Sequence, residues 1–149
     1  MLCFNTERMI AKSEMSIVSG NLIDTLPQNS SIDIFNLQPR TGLESCFRFY
    51  NNSNESIEIC HIAIIGTRNR FEVSYGTETE FRRKGYMKEA LAQLVNWIFF
   101  NTREKEIWGL PNGRESEHIL QSCGFSYYEP FEEDTSMKWY RIENPFVGD

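Results

Sequence analysis

The clearest periodicity in the chain lies between Phe71 and Phe100. Phe71-Glu72-Val73-Ser74-Tyr75 alternates apolar and polar positions, the pattern of a strand with one buried face. Met87, Ala90, Leu91, Leu94, Val95 and Ile98 then recur at i, i+3, i+4, i+7, i+8 and i+11, which predicts a helix over Met87–Phe100 with one apolar stripe. Arg82-Arg83-Lys84-Gly85 stands between the two, at the helix start. A helix N-terminus carries free N–H groups and partial positive charge, and a glycine there lets a ligand approach the backbone. Three cations at that end oppose the helix dipole unless an anion binds, so the stretch proposes a phosphate-bearing ligand.

The rest of the chain reads around this unit. Phe4–Lys12 is a plausible first strand. Ser13–Thr41 has Gly20, Pro27 and Pro39 and little periodicity, so short helical turns joined by loop are expected. Cys46–Asn51 and Ile57–Ile65 read as strands on either side of the turn Asn52-Ser53-Asn54-Glu55. Ile57–Ile65 is apolar on both faces, as a central covered strand is. After the helix come a short strand Glu106–Leu110, a short helix Ser116–Ser122 stopped by Gly124, and two strands, Phe125–Tyr128 and Ser136–Ile142, joined by an acidic loop. Consecutive strands followed by strand–helix alternation predict one α/β domain over residues 1–149. Its sheet is expected to be mixed, mostly antiparallel and about six to seven strands wide, with helices on both faces.

Composition narrows the function classes. The 149 residues are 40% hydrophobic and 24% charged, ordinary for a globular domain. The net charge of −6 argues against nucleic acid as a partner. No run approaches the roughly 18 apolar residues of a membrane span. Met1–Ile10 lacks the apolar stretch of a signal peptide, so a cytoplasmic location is expected. Four cysteines without C-x-x-C spacing give no support for a metal and fit free thiols. Neither G-x-x-x-x-G-K-[ST] nor G-x-G-x-x-G occurs, which disfavours a nucleotide-binding phosphate loop.

Three stretches in order resemble the GNAT superfamily of acyl-CoA-dependent N-acetyltransferases. Arg82-Arg83-Lys84-Gly85-Tyr86-Met87 is similar to its R/Q-x-x-G-x-G/A loop and is followed by Lys88-Glu89-Ala90-Leu91. Ser116 to Gly124-Phe125 resembles its N-x-x-S…G-F helix and strand. Phe4–Ile10, with Thr6-Glu7-Arg8, resembles the T-E-R-L opening of the ribosomal-protein alanine acetyltransferase branch. Three positions depart from the pattern: Met87 stands for Gly or Ala, Gly113 for the asparagine, and Leu120 where many relatives carry an acid-acting tyrosine.

The resemblance implies acetyl-CoA as co-substrate and direct transfer to a primary amine in a ternary complex. The acceptor would be a protein N-terminus or a small cationic amine. It implies that Arg82, Arg83, Lys84, Gly85, Tyr86 and Met87 hold the pyrophosphate, and that the backbone of Tyr75 and Thr77 holds the pantetheine and acetyl groups. Glu72 is the general-base candidate, against the reading of a solvated strand residue. Ser116 is a candidate to bond the CoA sulfur, against a helix cap. His61 and His118 read as structural, and Cys123 as a core thiol. Tyr127, Tyr128 and Tyr140 are candidate acids, though core or edge aromatics on the simpler reading. Glu129, Glu132, Glu133 and Asp134 form either a solvated loop or a border of the acceptor site. A non-catalytic acyl-CoA-binding or interaction module is the alternative. Oligomeric state is open, with a homodimer among the expectations.

Overall fold

The computed structural model describes residues 2–15, 43–67, 70–101 and 104–146, with no account of the side chains of residues 2, 14–15, 43–45, 65–67, 70 and 101. The strands are β1 (Leu2–Asn5), β2 (Met9–Met15), β3 (Leu43–Asn51), β4 (Asn54–Thr67), β5 (Arg70–Thr77), β6 (Glu106–Gly109), β7 (Ser126–Pro130) and β8 (Lys138–Glu143). The described helices are α1 (Tyr86–Asn101) and α2 (Arg114–Ser122). One eight-stranded sheet takes the order β1-β2-β3-β4-β5-β6-β8-β7. Every neighbouring pair is antiparallel except β5 and β6. Those two are joined through α1, and a parallel pair needs such a crossover.

Register shows which side chains share a face. Phe4, Ala11, Phe49 and Cys60 are partners across β1 to β4, as are Ser13, Phe47, Ile62 and Tyr75 across β2 to β5. Ile64, Val73, Gly109 and Tyr140 continue that face across β4, β5, β6 and β8. The predicted stripe of α1 packs on it: Met87, Ala90, Leu91, Leu94, Val95 and Ile98 are at most 4% exposed. Trp97 of α1 stacks on Phe4 at 5.9 Å and meets Phe47 at 5.7 Å.

α2 lies on the same face. A Cβ added to Gly109 would stand 2.8 Å from Leu120 Cδ2, so the missing side chain is what lets α2 press onto β6. Gly124 ends α2 as the sequence predicts. It has φ +96°, its N–H bonds Gln121 O and the Phe125 N–H bonds Leu120 O, a paired closure that needs a left-handed residue.

Two expectations change in detail. The single first strand over Phe4–Lys12 is a hairpin, β1 and β2, turning at Thr6-Glu7-Arg8, which raises the sheet to eight strands among the described residues. Both described helices share one face. The helical turns expected in Ser13–Thr41 fall almost wholly on residues 16–42, outside the described residues.

Candidate active site

β5 and β6 pair only at Glu72–Trp108 and Val73–Gly109. β6 then ends, while β5 continues to Thr77. The strands part there, and a cleft of about 700 Å³ opens at the gap. Tyr75 and Thr77 of β5, Arg83 and Gly85 of the loop before α1, and Gly113 and Ser116 at the start of α2 are among its lining residues. The N-terminal ends of both described helices therefore face one space, and their first-turn N–H groups lack intrahelical acceptors.

The loop before α1 has an unusual backbone. A 3-10 turn over Thr79–Phe81 leads into Arg82, whose Nε donates to Thr77 O at 3.1 Å. Arg83 has φ 63° and Gly85 φ 81°. Glycine takes that conformation freely; arginine does so at a cost of about 1–3 kcal/mol. Gly85 O accepts the first bond of α1, from the Glu89 N–H at 3.1 Å.

A second cleft of about 290 Å³ is lined by Glu72, Ser74, Leu110 and Leu120 among others. Tyr75, Asn112 and Ser116 line both clefts, so the two spaces meet at those residues. The Tyr75 hydroxyl is 2.9 Å from Ser116 O and 3.2 Å from Ser116 Oγ. Burial pushes the phenol up and the Ser116 bond partly offsets it, so Tyr75 stays protonated through neutral pH.

The predicted site residues fall as follows. Tyr75, Thr77, Arg82, Arg83, Gly85, Tyr86 and Met87 line the larger cleft, and Glu72 lines the smaller. Lys84 does not line either; it contributes a carbonyl that accepts from Arg8 Nη1 at 3.1 Å. The Met87 side chain is 4% exposed within the core, so its bulk points into the protein and leaves the loop approachable. Ser116 is not a helix cap: α2 begins at Arg114 with Gly113 at the cap position, which places Ser116 in the first turn.

Other sequence candidates lie elsewhere. Tyr140 is 4% exposed, whereas Tyr127 and Tyr128 are exposed on the edge strand, and none of the three lines either cleft. Burial pushes the Cys123 thiol up to about 11, and its Sγ donates to Lys88 O, both of which disfavour the thiolate. Asp134 accepts from the Ser136 N–H and hydroxyl within its own loop. His61 lies on the face away from the helices, its ring against Gly76. No cluster of His, Cys, Asp and Glu suited to a metal occurs among the described residues.

Several lining residues were not legible from the sequence. Lys88, Arg114 and His118 also line the larger cleft. For Arg114 the missing signal was the start of α2, two residues earlier than the apolar pattern suggests. Glu89 was passed over as part of a helix-start motif. It accepts from Thr6 Oγ1 at 2.5 Å, Arg8 N at 2.9 Å and Arg8 Nε at 2.6 Å. Burial acts to raise its pKa, but the Thr6 and Arg8 bonds and the Arg8 charge outweigh it and hold the carboxyl below its ordinary range.

No family model and no curated protein matches the sequence. Solved structures match its fold. A GNAT-family acetyltransferase from Bacillus anthracis aligns with a TM-score of 0.68 at 14% identity, over 96% of this chain and 99% of that one. The ribosomal-protein-S5-alanine acetyltransferase from Vibrio fischeri aligns with a TM-score of 0.68 at 13% identity, over the whole of both chains. Spermidine N-acetyltransferase from Vibrio cholerae, solved with CoA and spermine, aligns with a TM-score of 0.60 at 15% identity, over 74% of this chain and 72% of that one. Identities this low speak to architecture alone, and on that evidence this chain has the GNAT acetyltransferase fold.

Proposed function

We propose that the chain is an acetyl-CoA-dependent N-acetyltransferase acting on a primary amine, with direct transfer in a ternary complex. The observation that carries this reading is the meeting of two clefts at Tyr75 and Ser116. The larger has helix N-termini and cations suited to a phosphorylated carrier. The smaller has a carboxylate suited to an amine.

In this reading the open edge of β5 at Tyr75 and Thr77 bonds the pantetheine arm as a neighbouring strand would. The N–H groups at the start of α1, with Arg82 and Arg83, take the pyrophosphate. Glu72 removes a proton from the ammonium, directly or through water, so that a neutral amine attacks the thioester carbonyl. The hydroxyls of Tyr75 and Ser116 bond the sulfur as the C–S bond breaks. A protein N-terminus or a small cationic amine fits a site entered past Glu72. The solved structures of the same fold include enzymes named for each kind of acceptor.

One observation favours a second reading, a non-catalytic acyl-CoA-binding module. Leu120, which lines the smaller cleft, is apolar and fully buried, so that position of α2 supplies no proton donor. Release of free CoA thiol from acetyl-CoA with a panel of amines and peptides separates the two. Turnover is expected with at least one acceptor. Glu72→Gln should lower kcat by about a hundredfold or more while acetyl-CoA still binds. Tight acetyl-CoA binding without turnover would leave the second reading standing, and absence of CoA binding sinks both.

A further inference from the structure

In the Arg82–Gly85 loop, Arg82 is tied locally to Thr77 O and Thr79 O, but those bonds do not reach Arg83 to Gly85. Arg83 is left-handed without being glycine, and such a residue persists only where its surroundings over-determine it. The surroundings here come from the opposite end of the sequence. Arg8 touches three consecutive residues of the loop and helix start. Its Nη1 donates to Lys84 O at 3.1 Å, its Nη2 lies 3.6 Å from where a Cβ on Gly85 would sit, and its guanidinium stacks 4.0 Å over the Tyr86 ring.

Glu89 in turn holds Arg8. One carboxylate oxygen takes Arg8 Nε, and the other takes the Arg8 N–H and the Thr6 hydroxyl. The Glu89 side chain is 14% exposed and that of Arg8 39%, so water reaches these charge-assisted bonds mainly from the Arg8 side. Thr6 also accepts the Met9 N–H at 3.0 Å, which fixes the turn that presents Arg8.

We propose, resting on the acyl-CoA reading of the cleft, that Glu89, Arg8 and Thr6 are positioning residues that preset the Arg82–Gly85 loop for the pyrophosphate. None of the three lines either cleft. They act through the Lys84 carbonyl and the Tyr86 ring, so the loop need not be ordered at the moment of binding. Pre-ordering of this kind raises affinity by removing an entropic cost, and it affects only the part of the ligand that the loop touches.

The test compares ligands that do and do not reach the loop. Wild type, Glu89→Gln and Thr6→Val are titrated with CoA and with acetyl-pantetheine, which lacks the pyrophosphate. Amide hydrogen exchange over residues 82–88 is followed in the unliganded proteins, and a denaturant midpoint establishes that each is folded. In Glu89→Gln, CoA should bind about tenfold more weakly, the typical cost of one charge-assisted bond. Acetyl-pantetheine should change by less than about twofold, and exchange over residues 82–88 should rise while the core of β3 to β5 stays protected. Thr6→Val, which removes the hydroxyl's bonds to Glu89 and Met9 but no charge, should move the same readouts less.

Equal losses for both ligands, or unchanged CoA affinity in folded Glu89→Gln, overturns the proposal. Failure of wild type to bind CoA sinks the acyl-CoA reading instead. The exchange arm then decides the clamp, and unaltered exchange over residues 82–88 overturns it.

Discussion

Tyr75 concentrates what is and is not visible in a sequence at the scale of one residue. Strand alternation puts it on the face opposite Glu72, and the structure keeps them there, with Glu72 opposite Trp108 and Tyr75 opposite Ile62. The alternation cannot show that the hydroxyl reaches Ser116. That contact depends on where α2 starts and on Gly109, whose missing side chain sets how closely the helix approaches. The face that Glu72 takes was legible because it follows from local alternation; the partner of Tyr75 was not, because it lies 41 positions away. On the acetyl-transfer reading, Tyr75→Phe removes a donor from the meeting point of the clefts and leaves the strand edge intact. Steady-state kinetics should show kcat falling about tenfold or more, with acetyl-CoA affinity nearly unchanged. An equal fall in affinity and no change in kcat would assign the hydroxyl to binding alone. The loss of one hydrogen bond should also cost about 1 kcal/mol in denaturant unfolding.

At the scale of elements, the helix α1 was legible almost to the residue. Its stripe repeats for three turns, and each member predicted to be inward is buried. Leu94 is fully buried at its centre, in the core that α1 shares with β4 and β5. Leu94→Ala should therefore cost about 2–5 kcal/mol, the cavity cost of a core leucine, read as a lower denaturant midpoint at an unchanged slope. A loss under about 1 kcal/mol would mean the site collapses to fill the space. The hairpin of β1 and β2 shows the opposite case. Its turn, Thr6-Glu7-Arg8, contains no Gly, Pro or Asn, so turn chemistry gives no break and one continuous strand is the natural reading. What bends the chain is Thr6 bonding across to Met9 and the Glu89 carboxylate holding Thr6 and Arg8 from α1. A turn that leans on a carboxylate 81 positions away leaves little local signature.

Charge belongs to the whole molecule, and there a sum over the sequence misleads. The net charge of −6 weighs against a polyanionic partner. Folding nevertheless gathers Arg82, Arg83, Lys88 and Arg114 around one cleft, although Arg114 sits on α2 and the others on α1 and the loop before it. A local positive field on an acidic protein attracts a compact anion without attracting a long phosphate backbone. Because these four residues are exposed, the field is screened over about 10 Å at 0.1 M salt. Raising the salt from about 50 to about 500 mM should thus weaken CoA binding several-fold by calorimetry. Acetyl-pantetheine, which carries no phosphate, should show little change. Arg114→Ala should lower CoA affinity at low salt and flatten the salt dependence, since one source of the field is gone. The comparison separates charge from shape: if CoA binding is flat with salt, the helix N–H groups and the loop backbone hold the phosphates by hydrogen bonds alone. The four cations would then be solvated surface that the fold happens to place beside the cleft.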